Sequence, residues 1–129
     1  MPELERLRGL HVVADPAALD AARWEGGNAG LTVLRVAPDE ALALGAHGVE
    51  VDDEHAIVEE EAGHVGAWLP PHALDHVMSR VEWPLPARRP ALAQGLVAGV
   101  PAKLWVPDDG EALLLVAAAH AADLEARLR

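Results

Sequence analysis

Phenylalanine and tyrosine are absent from this chain, and four tryptophans are its whole aromatic complement. The interior must therefore be built from Ala, Leu and Val, and each alanine buries little area. A thin core with close backbone approaches is expected, with one face left for a partner to cover. The chain has 129 residues, 51% of them hydrophobic, enough to enclose one such core, so residues 1–129 are read as a single domain. It has no cysteine, which excludes a disulfide scaffold, a thiol nucleophile and a zinc site built on sulfur.

Charge narrows the partners. The formal net charge is −11, and its distribution is uneven. No Lys or Arg falls between Arg35 and Arg80, whereas Asp39, Glu40, Glu50, Asp52, Asp53, Glu54, Glu59, Glu60, Glu61 and Asp75 do. Such a face repels phosphates, and with no Tyr or Phe to stack on bases a nucleic-acid partner is excluded. The acidic interval reads either as a solvated face that maintains solubility or as a docking surface for a basic partner. No apolar run approaches the ~18–20 residues of a membrane helix. The start, Met1-Pro2-Glu3-Leu4-Glu5-Arg6, lacks the basic and apolar regions of a secretion signal, so a cytoplasmic protein without a membrane partner is expected.

Local patterns give an order of elements. Asp15 and Pro16 suit the N-cap and first position of a helix expected over residues 15–24, ended by Gly26-Gly27. Residues 31–36 read as a strand, Pro38-Asp39-Glu40 as a turn, and residues 41–44 as a returning strand, although their alanines and leucines suit a helix equally. Strands are expected at 55–60 and 63–69, separated by a turn or bulge at the glycines. Leu74, Val77, Met78 and Val81 recur at helical spacing after Pro71. Pro84, Pro86 and Pro90 make residues 84–92 an extended connector. Residues 94–98, 100–106 and 111–116 read as three strands, with turns at Gly99 and at Asp108-Asp109-Gly110. A last helix carries Ala117, Ala121, Leu124 and Leu128 on one stripe. The fold class expected is α+β: an antiparallel sheet with helices packed on one face, arranged as a ferredoxin-like plait.

About three quarters of the chain resembles the γ subunit of heterotetrameric sarcosine oxidase, of the aminomethyltransferase-like (glycine-cleavage T-protein-like) group. Residues 31–45 resemble that family's strand, Pro-Asp-Glu, strand hairpin. Asp52-Asp53-Glu54-His55-Ala56-Ile57-Val58 resembles the strand opening its core repeat, and Trp68-Leu69-Pro70-Pro71-His72-Ala73-Leu74-Asp75-His76-Val77 resembles its strand-to-helix step. Val81-Glu82-Trp83-Pro84-Leu85-Pro86 resembles the connector, and Ala98-Gly99-Val100-Pro101-Ala102-Lys103-Leu104-Trp105 with Glu111-Ala112-Leu113-Leu114-Leu115-Val116 the closing strands. The chain departs from the family in having little between the hairpin and Asp52, and no aromatic at Ala117-Ala118-Ala119. The resemblance implies an assembly subunit with no catalytic residue and no directly bound cofactor, flavin and folate being held by larger partner chains.

Seven histidines are the other chemical resource. His72 and His76 are four apart on the expected helix, on a face turned to solvent. His55 and His64 lie on the neighbouring expected strands, with Glu59, Glu60 and Glu61 between them. Convergence of His55, His64, His72 and His76 would make a metal site, although His72 is not followed by the glutamate of a metalloprotease helix. Protonating all seven would also make the chain a pH sensor. The single serine, Ser79, and single threonine, Thr32, lie in helix and strand patterns that suit no nucleophile elbow. Gly26-Gly27-Asn28-Ala29-Gly30 precedes a strand, whereas a phosphate cradle opens a helix. Contiguous carboxylates at 52–54 and 59–61 are solvated rather than opposed for acid–base work. Trp24, Trp68, Trp83 and Trp105 read as core anchors, and Lys103 as an edge-strand lysine that blocks aggregation. The functional expectation is a non-catalytic assembly or adaptor subunit bound to larger chains. The alternatives are a stand-alone homodimer that binds a small ligand or metal through its histidines, and a small enzyme using histidine as general base.

Overall fold

The computed structural model describes residues 1–27 and 30–129. Its elements are β1 (Glu5–Val13), α1 (Pro16–Asp20), β2 (Arg23–Gly26), β3 (Thr32–Ala37), β4 (Glu40–Leu44), β5 (Ala46–Glu50), β6 (Ile57–Leu69), α2 (Pro71–Met78), β7 (Ala91–Val97), β8 (Val100–Val106), β9 (Ala112–Ala117), a 3-10 turn (Ala118–His120) and α3 (Ala121–Arg127). Strand makes up 49% and helix 18%, which overturns the expected α+β plait with helices packed on one face. A plait needs two helices that each span a sheet, and those here are only five, eight and seven residues long. The strands instead follow the order β3-β4-β1-β6-β9-β8-β7, with β2-β5 as a separate pair. Alanine-rich segments that suit helices in isolation lie in strands because cross-strand pairing overrides weak propensity.

Two compact units divide the chain: Leu7–Ala62, and Met1–Arg6 with Gly63–Arg129. In the first, β4 lies between β1 and β3, antiparallel to both, with Leu10 opposite Ala43 and Leu34 opposite Leu42. Leu10, Val12, Leu19, Ala41, Ala43 and Ala46 belong to one buried cluster. With alanine at its centre, the backbones come close. A Cβ at Gly9 would lie 1.9 Å from the Ala43 carbonyl oxygen, so only glycine fits there. At Gly45 the chain leaves one sheet for the other: its φ is +86, its N–H donates to Arg8 O at 2.8 Å and its carbonyl accepts from Gly27 N–H at 2.9 Å. Residues 40–44 therefore pair with β1 and β3, and β5 pairs with β2.

The expected helix over 15–24 is only Pro16–Asp20, capped by the Asp15 side chain accepting from Ala17 N–H, and Arg23 onward is strand. The glycine-rich stretch expected at 26–30 lies partly outside the described residues, at Asn28 and Ala29. No turn interrupts the chain at Gly63, because β6 runs unbroken for 13 residues.

In the second unit the order is β6-β9-β8-β7, with antiparallel pairing throughout. One face carries Val65, Ala67 and Leu69 of β6, Ala112, Leu114 and Val116 of β9, and Val100, Ala102, Leu104 and Val106 of β8. Ala73 and Val77 of α2 and Leu124 and Leu128 at the C-terminal helix complete that cluster. β7 and β8 meet in a two-residue turn, Ala98-Gly99, with φ of +49 and +81. This left-handed pair matches the right-handed twist of a hairpin. Arg127 donates to the Ala98 carbonyl at 2.9 Å, and Ala98 N–H donates to Arg80 O at 2.8 Å. The connector's Trp83 lies along β7 and donates its indole N–H to Leu96 O at 3.0 Å.

Candidate functional site

The expected histidine cluster divides among different surroundings. His55 is exposed in the turn before β6, its Nε2 3.3 Å from Glu54 Oε1, within the first unit. His64 is half-buried on β6 opposite Ala117 of β9. On α2, His72 is exposed, whereas His76 is half-buried with Nε2 2.5 Å from the Leu128 carbonyl oxygen. A carbonyl only accepts, so His76 Nε2 carries a proton and donates. The shared helix face predicted for His72 and His76 thus serves a helix-to-helix contact at one position and solvent at the other. No group of three or more His, Cys, Asp or Glu among the described residues is placed to hold a metal ion.

The carboxylates of the first unit separate into structural and solvent-facing groups. Asp53 accepts from Asp15 N–H at 2.8 Å and from His55 N–H at 2.9 Å. These two bonds, Asp15's the stronger influence, hold its pKa below the ordinary aspartate range. Asp53 thereby fastens the loop before β6 to the cap of α1. Arg35, the last cation before the acidic interval, is occupied by Asp20 at 2.5 Å and by the carbonyls of Pro16 and Pro38. Glu50, Asp52, Glu54, Glu59 and Glu60 are exposed. Beside them Ile57 and Val58 are 53% and 46% exposed. Successive strand residues point to opposite faces, so each face of this segment presents an aliphatic side chain.

A second feature lies wholly within the other unit. The strand register places Gln94 of β7 opposite Lys103 of β8, and Lys103 opposite Leu115 of β9. Residues paired across strands share a face, here the one turned away from α2 and α3. An open groove of about 320 Å³ on it is lined by His64, Gln94, Lys103, Leu115 and Ala117, with His120 from the 3-10 turn. Lys103 is half-buried and sits on an interior strand, which corrects its reading as an edge lysine. Trp68, 43% exposed, is not the core anchor expected of it, whereas Trp24 and Trp83 pack against the buried clusters of their own units.

Sequence reasoning did not assemble this groove, although its register was available. A two-residue turn at Ala98-Gly99 sets Val97 against Val100, and counting outward pairs Gln94 with Lys103. What local pattern did not supply was the register that sets Leu115 of β9, itself expected as a strand, opposite Lys103. Compared with protein-family models, curated proteins and solved structures, the chain matches none.

Proposed function

We propose that this chain is a non-catalytic assembly or adaptor subunit that docks larger protein chains, as the resemblance to the γ subunit of heterotetrameric sarcosine oxidase implies. The observation that carries this reading is the exposed aliphatic pair Ile57 and Val58 among the solvent-facing carboxylates Asp52, Glu54, Glu59 and Glu60. Covering the exposed half of two such side chains gains about 0.7–1.5 kcal/mol each. The flanking charges select the partner, because opposite potentials speed encounter and like potentials reject wrong surfaces. The complementary surface is a basic rim around an aliphatic depression on a larger cytoplasmic chain. On this reading flavin and folate belong to the partner chains, and this chain supplies contact surface.

A photoreactive amino acid placed at Val58 in the protein expressed in its own cell tests the proposal. The expected product is a single crosslinked larger chain, with the mapped crosslink in a segment rich in Lys or Arg. Dissociation of the uncrosslinked complex should increase with salt. Elution of the endogenous protein from cell extract at its own mass of 13.6 kDa, with no crosslinked partner, overturns the proposal.

A further inference from the structure

We propose that the groove around Lys103 binds a small organic carboxylate with a short aliphatic tail. The site is distinct from the Ile57–Val58 surface and independent of the docking role. Its lining separates chemically from every other cleft described. Two other clefts each include two carboxylates, Glu50 with Asp52 in one and Glu3 with Glu125 in the other. The Lys103 groove includes none, in a chain with 21 Asp and Glu. Its polar members are an ammonium, two imidazoles and a carboxamide, a set rich in N–H donors.

Lys103 is the chain's one lysine. It is half-withdrawn from water between two strands and forms no ion pair among the described residues. No carboxylate lines the groove beside this ammonium, and an incoming anion supplies the counter-charge. Gln94, directly across the β7–β8 pair, presents an amide beside the same point. The rest of the wall is aliphatic: Leu115 and Ala117, with Leu96 at the rim, 55% exposed. A phosphate is held best by an Arg fork or a run of backbone N–H groups, to which a Lys adds a point charge, and no Arg lines this groove. One point charge next to hydrocarbon matches instead a carboxylate whose tail lies along the wall. A volume of about 320 Å³ is at the small end for ligand pockets, so a compact molecule is selected.

The experiment is an NMR titration of ¹⁵N-labelled protein with butyrate, its neutral isostere butyramide, and inorganic phosphate. Butyrate is expected to shift the amides of His64, Gln94, Lys103 and His120 together, with a Kd on the order of 1 mM. Butyramide is expected to bind at least about tenfold more weakly. Lys103→Met, which keeps the hydrocarbon stem, should weaken butyrate by a similar factor, and Lys103→Arg should retain most of the affinity. Equal binding of butyrate and butyramide overturns the proposal, as does tighter binding of phosphate at these amides or shifts that avoid the groove. Should Lys103→Met fail to fold, the butyrate and butyramide contrast on the unaltered protein decides the question alone.

Discussion

Gly9→Ala is the sharpest test of how this chain holds together. The new methyl would lie 1.9 Å from the Ala43 carbonyl oxygen and 2.9 Å from Leu44 Cα. Both are backbone atoms of β4, so no side chain can turn aside. Relief to ordinary contact requires the strands to separate by roughly 1.5 Å. That movement breaks the antiparallel ladder running from Gly9 opposite Leu44 to Val13 opposite Glu40. Losing two ladder bonds costs about 1 kcal/mol each, and overpacking adds about 1–3 kcal/mol. Stiffening the unfolded chain returns about 0.4–1 kcal/mol. The expected net loss is about 3 kcal/mol, a large share of the roughly 5–15 kcal/mol that stabilises an ordinary domain. The control is Gly27→Ala, whose methyl would meet, among the described residues, only the Gly45 carbonyl oxygen at 3.8 Å and should be neutral within about 0.5 kcal/mol. Urea unfolding followed by tryptophan fluorescence measures both variants, at unchanged m-value. A Gly9→Ala protein as stable as Gly27→Ala would refute the close approach of β1 and β4.

Three further outcomes follow. Ala98 has a positive φ without being glycine, so Ala98→Asn should raise stability by about 0.5–1 kcal/mol in thermal or urea unfolding; a loss would contradict the turn geometry. Leu124→Ala removes a fully buried side chain from the second unit's core and should cost about 2–5 kcal/mol, read as a fall in the unfolding midpoint. Asp53→Asn should destabilise the protein near neutral pH, where the carboxylate accepts two backbone N–H bonds. Because the folded-state pKa of Asp53 is depressed, its contribution is present above the unfolded pKa near ~3.9 and fades as pH falls through the lower folded value. The gap between the two proteins should therefore narrow on acidification, and a gap independent of pH would show that charge is not what Asp53 contributes.

Turns and caps were the most legible features of the sequence. Asp15 caps α1, Pro71 opens α2, and β3, β4, β7, β8 and β9 lie close to the segments read as strands. Strand β1 passed unread, although Leu10, Val12 and Ala14, all buried, alternate with less buried neighbours as a half-buried strand should. Fold class went wrong at the unread β1 and at Arg23-Trp24, expected as helix but found in strand, whereas Ala41-Leu42-Ala43-Leu44, whose composition favours helix and strand alike, lie in the strand expected of them. Long-range pairing with β1 and β3 decides them, and no local pattern contains that information. Among the histidines, spacing gave the shared helix but not the Leu128 carbonyl that His76 reaches from 52 residues away. The groove was legible only as far as the Ala98-Gly99 hairpin extends.

Absence of bulky rings connects these results. With Ala41, Ala43 and Ala46 in one core, and Ala67, Ala73, Ala102 and Ala112 in the other, each buried position contributes little apolar area, so more of the stabilisation falls to backbone pairing and close strand contact. Long strands are the economical answer for such a composition, because a ladder bond does not depend on side-chain size. The same scarcity makes exposed aliphatics informative. Ile57 and Val58 are among the larger apolar side chains available, yet both stand about half in water on β6. Burying the exposed half of each internally would add about 0.7–1.5 kcal/mol apiece to a core otherwise filled in part by methyl groups. A chain that leaves this gain unused on a segment bordered by carboxylates has it available for association, which is the physical basis for the docking surface proposed there.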